Sequence, residues 1–321
     1  MKIQINIKQY LFVAAVIMSF LFFTQGAKAA KYNYYVDAGS TETLEDGSSQ
    51  HPWKTIAAAT NYIAQHKIKK KIIHVRSGEY KESVEIRYNT TLYGSDKDNV
   101  IINADGYGNA VNFSSTKSTL KNLTIKNAEA SNIIVDKRSK ATITDCIIEK
   151  AGNFGIEVKE SSATDKYKFA LKGSRVSGSK SQGVYISKRK ISITDNEIDS
   201  NDEEGIDLHQ GVKGKVSGNN IHGNSESGIE SILTGASLSI RSNVIENNHT
   251  QGLTVQIYTT KKGGKITIRG NTIKGNTKYG IRYANYTHKF GPKKFKDFAD
   301  KYVKTTKNKI SGNGDEDFFY Q

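Results

Sequence analysis

A six-residue pattern, Asn-x-Ile-x-x-Asn, recurs five times and constrains this chain more than any other feature of its 321 residues. It stands at Asn196–Asn201, Asn219–Asn224, Asn243–Asn248, Asn271–Asn276 and Asn308–Asn313, with weaker copies beginning at Asp145 and Ser174. Each copy but the last is followed by glycine and an aliphatic residue: Gly155-Ile156, Gly183-Val184, Gly205-Ile206, Gly228-Ile229, Gly252-Leu253 and Gly280-Ile281. Runs such as Ile191-Ser192-Ile193 and Ile266-Thr267-Ile268 supply a third alternating segment per repeat. Alternation with period two puts one set of side chains inward and the other outward. A repeat of three short strands cannot bury its apolar face alone, so it must stack on copies of itself. These repeats predict an all-β solenoid, a single-stranded right-handed parallel β-helix with one repeat per coil and coils about 4.8 Å apart.

In that arrangement the recurring asparagines fall at equivalent turns and stack into a ladder, which resembles the ladders of pectate-lyase-like folds. The register of five copies is more than the ordinary preference of Asn for turns requires. Near the N-terminus, Trp53 to Ala64 has helical spacing, with Ile56, Ala59, Tyr62 and Ile63 toward one side. A capping segment over about 34–66 would cover the first coil and its open sheet edge. The longest repeat contains a second helical stretch, Pro292 to Val303, within an insertion over about 285–306. It reads either as a flap against the last coils or as a lid over the functional face.

Residues 1–29 read as a signal peptide: Lys2 and Lys8, the apolar run Leu11 to Phe23, and Ala27 and Ala29 before the cut. The rest, 30–321, reads as one β-helix domain. Localisation is then secreted or periplasmic, with no membrane association after cleavage. The formal charge of +15 becomes +12 when Lys2, Lys8 and Lys28 leave with the leader. A field of that sign draws anionic partners. For an exported monomer the expected partner is an acidic polysaccharide; no nucleic-acid module is present. The single cysteine, Cys146, excludes an intramolecular disulfide and reads as a buried, inert thiol.

If the Gly-led segments are one strand of successive coils, outward positions can be stacked. The first row is Glu157, Tyr185, Asp207, Glu230, Thr254 and Arg282; the second is Lys159, Ser187, His209, Ile232, Gln256 and Ala284. Tyr185, Asp207 and His209 are the candidate catalytic residues. Glu230, Glu157, Lys159, Arg189, Lys213, Gln256 and Arg282 are candidate substrate contacts.

Gly205-Ile206-Asp207-Leu208-His209-Gln210 resembles the Tyr-Gly-aliphatic-Asp-Pro-His-acid motif of mannuronan C5-epimerases, β-helix enzymes related to uronan lyases. Glu204, Leu208 and Gln210 depart from it at the tyrosine, proline and acid positions. The resemblance implies removal of the proton α to a uronate carboxylate, with His209 as base, Asp207 as its partner and Tyr185 standing in for the missing tyrosine. That chemistry needs the carboxylate charge neutralised. Re-protonation then gives a C5-epimerase, and expulsion of the O4 substituent gives a lyase. No organic cofactor is implied. The acids Asp202, Glu203 and Asp207 suit calcium or a solvated turn. Two other readings remain: a non-catalytic polysaccharide-binding or surface protein using the same face, and hydrolysis by the carboxylates of Asp207 and Glu230.

Overall fold

The computed structural model describes residues 34–321 apart from 69–70, 115, 163–165 and 261–262. The expected leader lies outside the described residues. The described chain winds through three parallel sheets of 11, 10 and 10 strands. One coil shows the plan. Lys190–Thr194 lies in the first sheet, Glu197–Asp199 in the second and Ile206–Leu208 in the third, and Lys213–Ser217 then pairs in parallel beside Lys190–Thr194. Inward side chains make the core, so Ile193, Ile198, Ile206 and Leu208 are all fully buried.

The strands stay short because the chain must bend sharply at fixed intervals. At each of the two turns flanking the second sheet the bend falls on one residue in the left-handed region. Asp195, Gly218 and Ser242 do this at the first turn (φ 57°, 71° and 55°), and Ser200, Gly223 and Asn247 at the second (φ 56°, 62° and 55°). Such a residue is strained unless it is glycine or a small polar side chain. At Gly218 an added Cβ would also come within 2.5 Å of Asp195 Oδ1.

The residue after each bend carries the ladder, and the motif yields two ladders rather than one. Along the first turn the Nδ2 of Asn196, Asn219, Asn243 and Asn271 donates to the Oδ1 of Asn219, Asn243, Asn271 and Asn308 at 2.8–2.9 Å. Along the second, Asn201, Asn224, Asn248 and Asn276 donate in the same way to Asn224, Asn248, Asn276 and Asn313 at 2.8–3.0 Å. Each Oδ1 also accepts a backbone N–H from the coil before, as Asn219 does from Asn196. The Nδ2 groups donate in addition to buried carbonyls. The first ladder runs on through Ser174 and Cys146: the Cys146 N–H donates to Ser174 Oγ, and the Ser174 N–H to Asn196 Oδ1. The weak copy therefore starts at Cys146, not Asp145, which is instead the left-handed residue (φ 55°). Cys146 is 1 % exposed and burial pushes its thiol up to about 12, in keeping with an inert side chain.

Helix α1 spans Ile56–Gln65, starting three residues later than its apolar spacing implied. Thr55 Oγ1 caps it, and the Glu82 carboxylate accepts from the N–H groups of Ile56 and Ala57 at 2.8 Å each, where a helix end favours negative charge. Trp53 lies before the helix and bridges to Val36. Ile56, Ala59, Thr60 and Ile63 face inward; Tyr62 packs instead against Trp53 and Tyr34. The helix covers the end strands of two sheets, Val84–Ile86 and Tyr34–Val36. Helix α2, Pro292–Tyr302, buries Phe295 and Ala299 and packs against Val303–Thr306 and Glu316–Tyr320, which makes the insertion a flap on the last coils. Among the described residues no helix is long and apolar enough to cross a membrane.

A mid-ladder amide holds partners in both neighbouring coils, so Asn224→Ala should lower unfolding free energy by about 1–3 kcal/mol, because it strands buried donors and acceptors. Chemical denaturation checks this; a loss near zero would mean the ladder is ornamental.

Candidate active site

The outward row of the third sheet has the register expected from the glycines. Glu157, Tyr185, Asp207, Glu230, Thr254 and Arg282 are paired in succession, coil to coil. Ile232, Gln256 and Ala284 follow in the second row. His209 is fixed one residue beyond the strand by its N–H, which donates to Ile186 O at 2.8 Å.

Asp207 and His209 form the centre. The strand alternates, so both side chains leave the same face with the buried Leu208 between them. His209 Nε2 lies 3.1 Å from Asp207 Oδ2, and this hydrogen bond raises the imidazole above its ordinary pKa. The Tyr185 ring packs over His209 at 4.9 Å between centroids and against Phe154 at 5.1 Å. Burial, helped by the charges of Asp207 and Glu157, keeps the Tyr185 phenol protonated. Asp207 is only 4 % exposed, yet its Oδ1 has no hydrogen-bond partner. A buried carboxylate oxygen left open in this way is costly unless something donates to it.

Carboxyl groups crowd around this pair. Glu230, next in the row, has its pKa pushed up to about 7, first by burial and then by the Asp207 charge. Gln256 hydrogen-bonds to it and also accepts from the Tyr258 hydroxyl at 3.0 Å. Glu204, 6 % exposed, is raised further, by burial and then by a hydrogen bond with Glu226. Gln182 Nε2 donates to Glu204 at 3.0 Å. Among the described residues no ion pair joins any of these carboxyl groups to lysine or arginine. The sequence motif marks Glu204 only as the occupant of a tyrosine position, and it does not mark Glu226 at all. The residue before each glycine forms a further stacked row, and stacking those positions as well locates Glu204; Glu226 lies one residue earlier in its coil, level with Glu203.

The other candidates read from the sequence are dispersed. Glu157 pairs with Tyr185 in register, and Gln256 belongs to the cluster. Lys159 pairs with Asp136 at 3.9 Å, and Arg282 donates to Gln321 near the C-terminal end. Lys213 opens a strand of the first sheet, so it sits on a different face. Arg189 is not a surface residue. The chain turns at Lys188 (φ 38°), which sends the Arg189 side chain inward with no exposure. There its guanidinium donates to the carbonyls of Asp136, Ser139, Lys159 and Tyr167 at 2.7–3.1 Å, and burial lowers its pKa to about 10. It ties three coils together.

Asp202, Glu203 and Asp207 take separate partners: Lys180, Ser181 and His209. Among the described residues, only Glu197, Asp199 and His222 hold ligand atoms within 4.8 Å of one another, on the second sheet. Asp199 there is already bound by Arg175 at 2.8–2.9 Å.

The family profile described as "Right handed beta helix region" matches residues 131–295, just over half the chain, which carries the whole cluster and all of both ladders but their last members, Asn308 and Asn313. This chain belongs to the right-handed β-helix family. No curated protein sequence matches significantly. Among solved structures, the chain is similar to the A-module of an Azotobacter vinelandii mannuronan C-5 epimerase, at 15 % identity and TM-score 0.50, covering 88 % of this chain and 97 % of that one. It is also similar to pectate lyase Pel9A, at 12 % identity and TM-score 0.57, over 87 % and 78 % of the two chains. The Dettilon tailspike protein matches at 12 % identity and TM-score 0.53, over 91 % and 67 %. Likeness at these identities speaks to the fold.

A family member with raised carboxyls on one face has a definite stability signature. Glu230 is raised in the folded state, so the unfolded chain ionises first as pH rises. The stability linked to Glu230 is therefore fully present below about 4.5 and is lost between there and about 7. Glu230→Gln should raise the melting temperature at pH 8, with the gain vanishing by pH 4.5. An equal effect at both pH values would contradict the raised carboxyl.

Proposed function

We propose that the protein is an exported, carbohydrate-active enzyme that removes the C5 proton of uronate residues in an anionic polysaccharide, acting as an epimerase or lyase. The observation that carries this reading is the Asp207–His209 pair beside carboxyl groups whose pKa values are raised, Glu230 to about 7 and Glu204 further. Support also comes from the activities of two proteins of similar fold, a mannuronan C-5 epimerase and a pectate lyase. Phe154, Tyr185, Tyr258 and Tyr286 give the same face flat rings for sugars to pack on; Tyr258 and Tyr286 are stacked 4.8 Å apart and exposed.

The chemistry follows from the geometry. Asp207 faces Nε2 of His209 and fixes the tautomer with hydrogen there, which leaves Nδ1 with a free electron pair. Its raised pKa makes that nitrogen a stronger base. Nδ1 takes the C5 proton, and the C–H electrons move into the uronate carboxylate to form an enediolate. Among the described residues no lysine or arginine is paired into the site to hold that charge. The neutral carboxyl groups of Glu230 and Glu204 do so by donating hydrogen bonds, the protonated-acid solution to the same electrostatic problem. Tyr185, kept protonated, lies beside His209 to return a proton at C5, giving the epimer, or to the O4 oxygen as it leaves, giving an unsaturated end.

Incubation of the purified protein with alginate, pectate and glycosaminoglycans should give either solvent deuterium at C5 or the ultraviolet absorbance of an unsaturated uronate. Neither signal on any of them would end this reading. The kcat/KM profile should rise as His209 loses its proton and fall as Glu230 loses its own, with the falling limb near about 7. Glu230→Gln keeps a donor that cannot ionise, so it should retain activity within about tenfold and lose the falling limb. An inactive Glu230→Gln that still folds would favour hydrolysis, in which Glu230 must itself ionise or transfer a proton beside Asp207.

A further inference from the structure

Charge on this β-helix is sorted by face. The third sheet carries the acids of the proposed site. The second is mixed and internally paired, with Arg175 on Asp199 and Lys274 on Glu246. The eleven strands of the first sheet contain thirteen lysine and arginine residues and no aspartate or glutamate. Register places Lys117, Lys140, Lys168, Lys190 and Lys213 in one line over five successive coils. Lys121, Lys172, Arg241 and Arg269 flank the far side of the same face. Between the two lies a low row of hydroxyl side chains such as Thr142 and Ser192.

Lys117, Lys140, Lys168 and Lys213 are exposed, and none is in an ion pair among the described residues. Like charges on directly neighbouring strands oppose folding. A surface shaped for solubility alone intersperses the two signs. Four such lysines in one line at strand spacing are therefore unfavourable for the free protein and become favourable when a polyanion lies along them.

We propose that the outer face of the first sheet is a second, non-catalytic docking surface for a linear acidic polysaccharide running parallel to the helix axis. Coil spacing of about 4.8 Å is close to the length of one pyranose residue in an extended chain, so one carboxylate per sugar meets one ammonium per coil. The chemistry of the face favours this occupant over other polyanions. From Lys117 to Arg241 its outward residues are Lys, Arg, Ser, Thr and Ala. Over those coils it offers no aromatic platform for the bases of a single-stranded nucleic acid; the outward rings of this sheet, Tyr35, His74 and Tyr93, lie on the coils before Lys117. Nor does it offer an apolar anchor for a membrane surface. Docking here would hold the polymer or tether the protein within it, while the third sheet stays free to act. This inference rests on the charge distribution and is independent of the chemistry proposed for Asp207 and His209.

The test is binding of the full chain to immobilised alginate at low salt, with neutral dextran, phosphatidylglycerol vesicles and single-stranded DNA as comparison probes. The triple substitution Lys117→Gln, Lys140→Gln and Lys168→Gln should weaken alginate binding by about tenfold or more and flatten its salt dependence. Lys140→Gln alone should weaken it by about two- to threefold, which keeps the test usable if the triple variant folds poorly. Lys274→Gln, on the second sheet, should leave binding unchanged. Alginate binding that survives the triple substitution in a folded protein would overturn the proposal. So would tighter binding to the vesicles or the DNA than to alginate.

Discussion

Everything in this molecule depends on coils that cannot slip past one another. A one-residue slip of any strand would turn its buried side chains outward. Three devices prevent it together: a single left-handed residue at each turn flanking the second sheet, the buried asparagine that follows it, and the apolar residues stacked inside. The asparagine contributes most to specificity, because each amide is satisfied only when the next coil presents its own amide at the same height. Two such ladders on either side of the second sheet fix both the rise and the rotation of each coil.

Register is also what turns sequence into chemistry. Tyr185, Asp207 and Glu230 lie more than twenty residues apart along the chain and become lateral neighbours only because their coils align. Their proximity shapes the electrostatics: burial and then the Asp207 charge raise Glu230, and a hydrogen bond to Asp207 raises His209. The same alignment gathers lysines on the first sheet, so one structural rule builds an acidic face and a basic face from a single repeat.

Much of this is legible in the sequence, for a physical reason. A stacked repeat converts linear spacing directly into spatial contact, so the glycine-led segments locate the row from Glu157 to Arg282 without any knowledge of tertiary structure. The two helices are legible from apolar spacing, although Thr55 rather than Trp53 sets the start of the first, since only Thr55 can cap it. Turns are the weak point. The inward swing of Arg189 depends on the left-handed conformation of Lys188, which periodicity does not encode. Glu204 and Glu226 sit in a bend rather than a strand, so an in-and-out rule for strands passes over them. The off-by-one placement at Asp145 has the same origin: a cysteine occupies the ladder position there, and its neighbour has the more asparagine-like side chain.

The most direct test of the central claim, that aligned coils couple Asp207, His209 and Glu230 into one proton-transfer unit, is a residue-specific NMR titration of His209 and Glu230 in the wild type and in Asp207→Asn. Coupled groups predict Glu230 titrating near 7 and His209 above 6.5 in the wild type, with both falling when the Asp207 charge is removed. Glu230 titrating near 4.5, together with a His209 midpoint unmoved by Asp207→Asn, would contradict it.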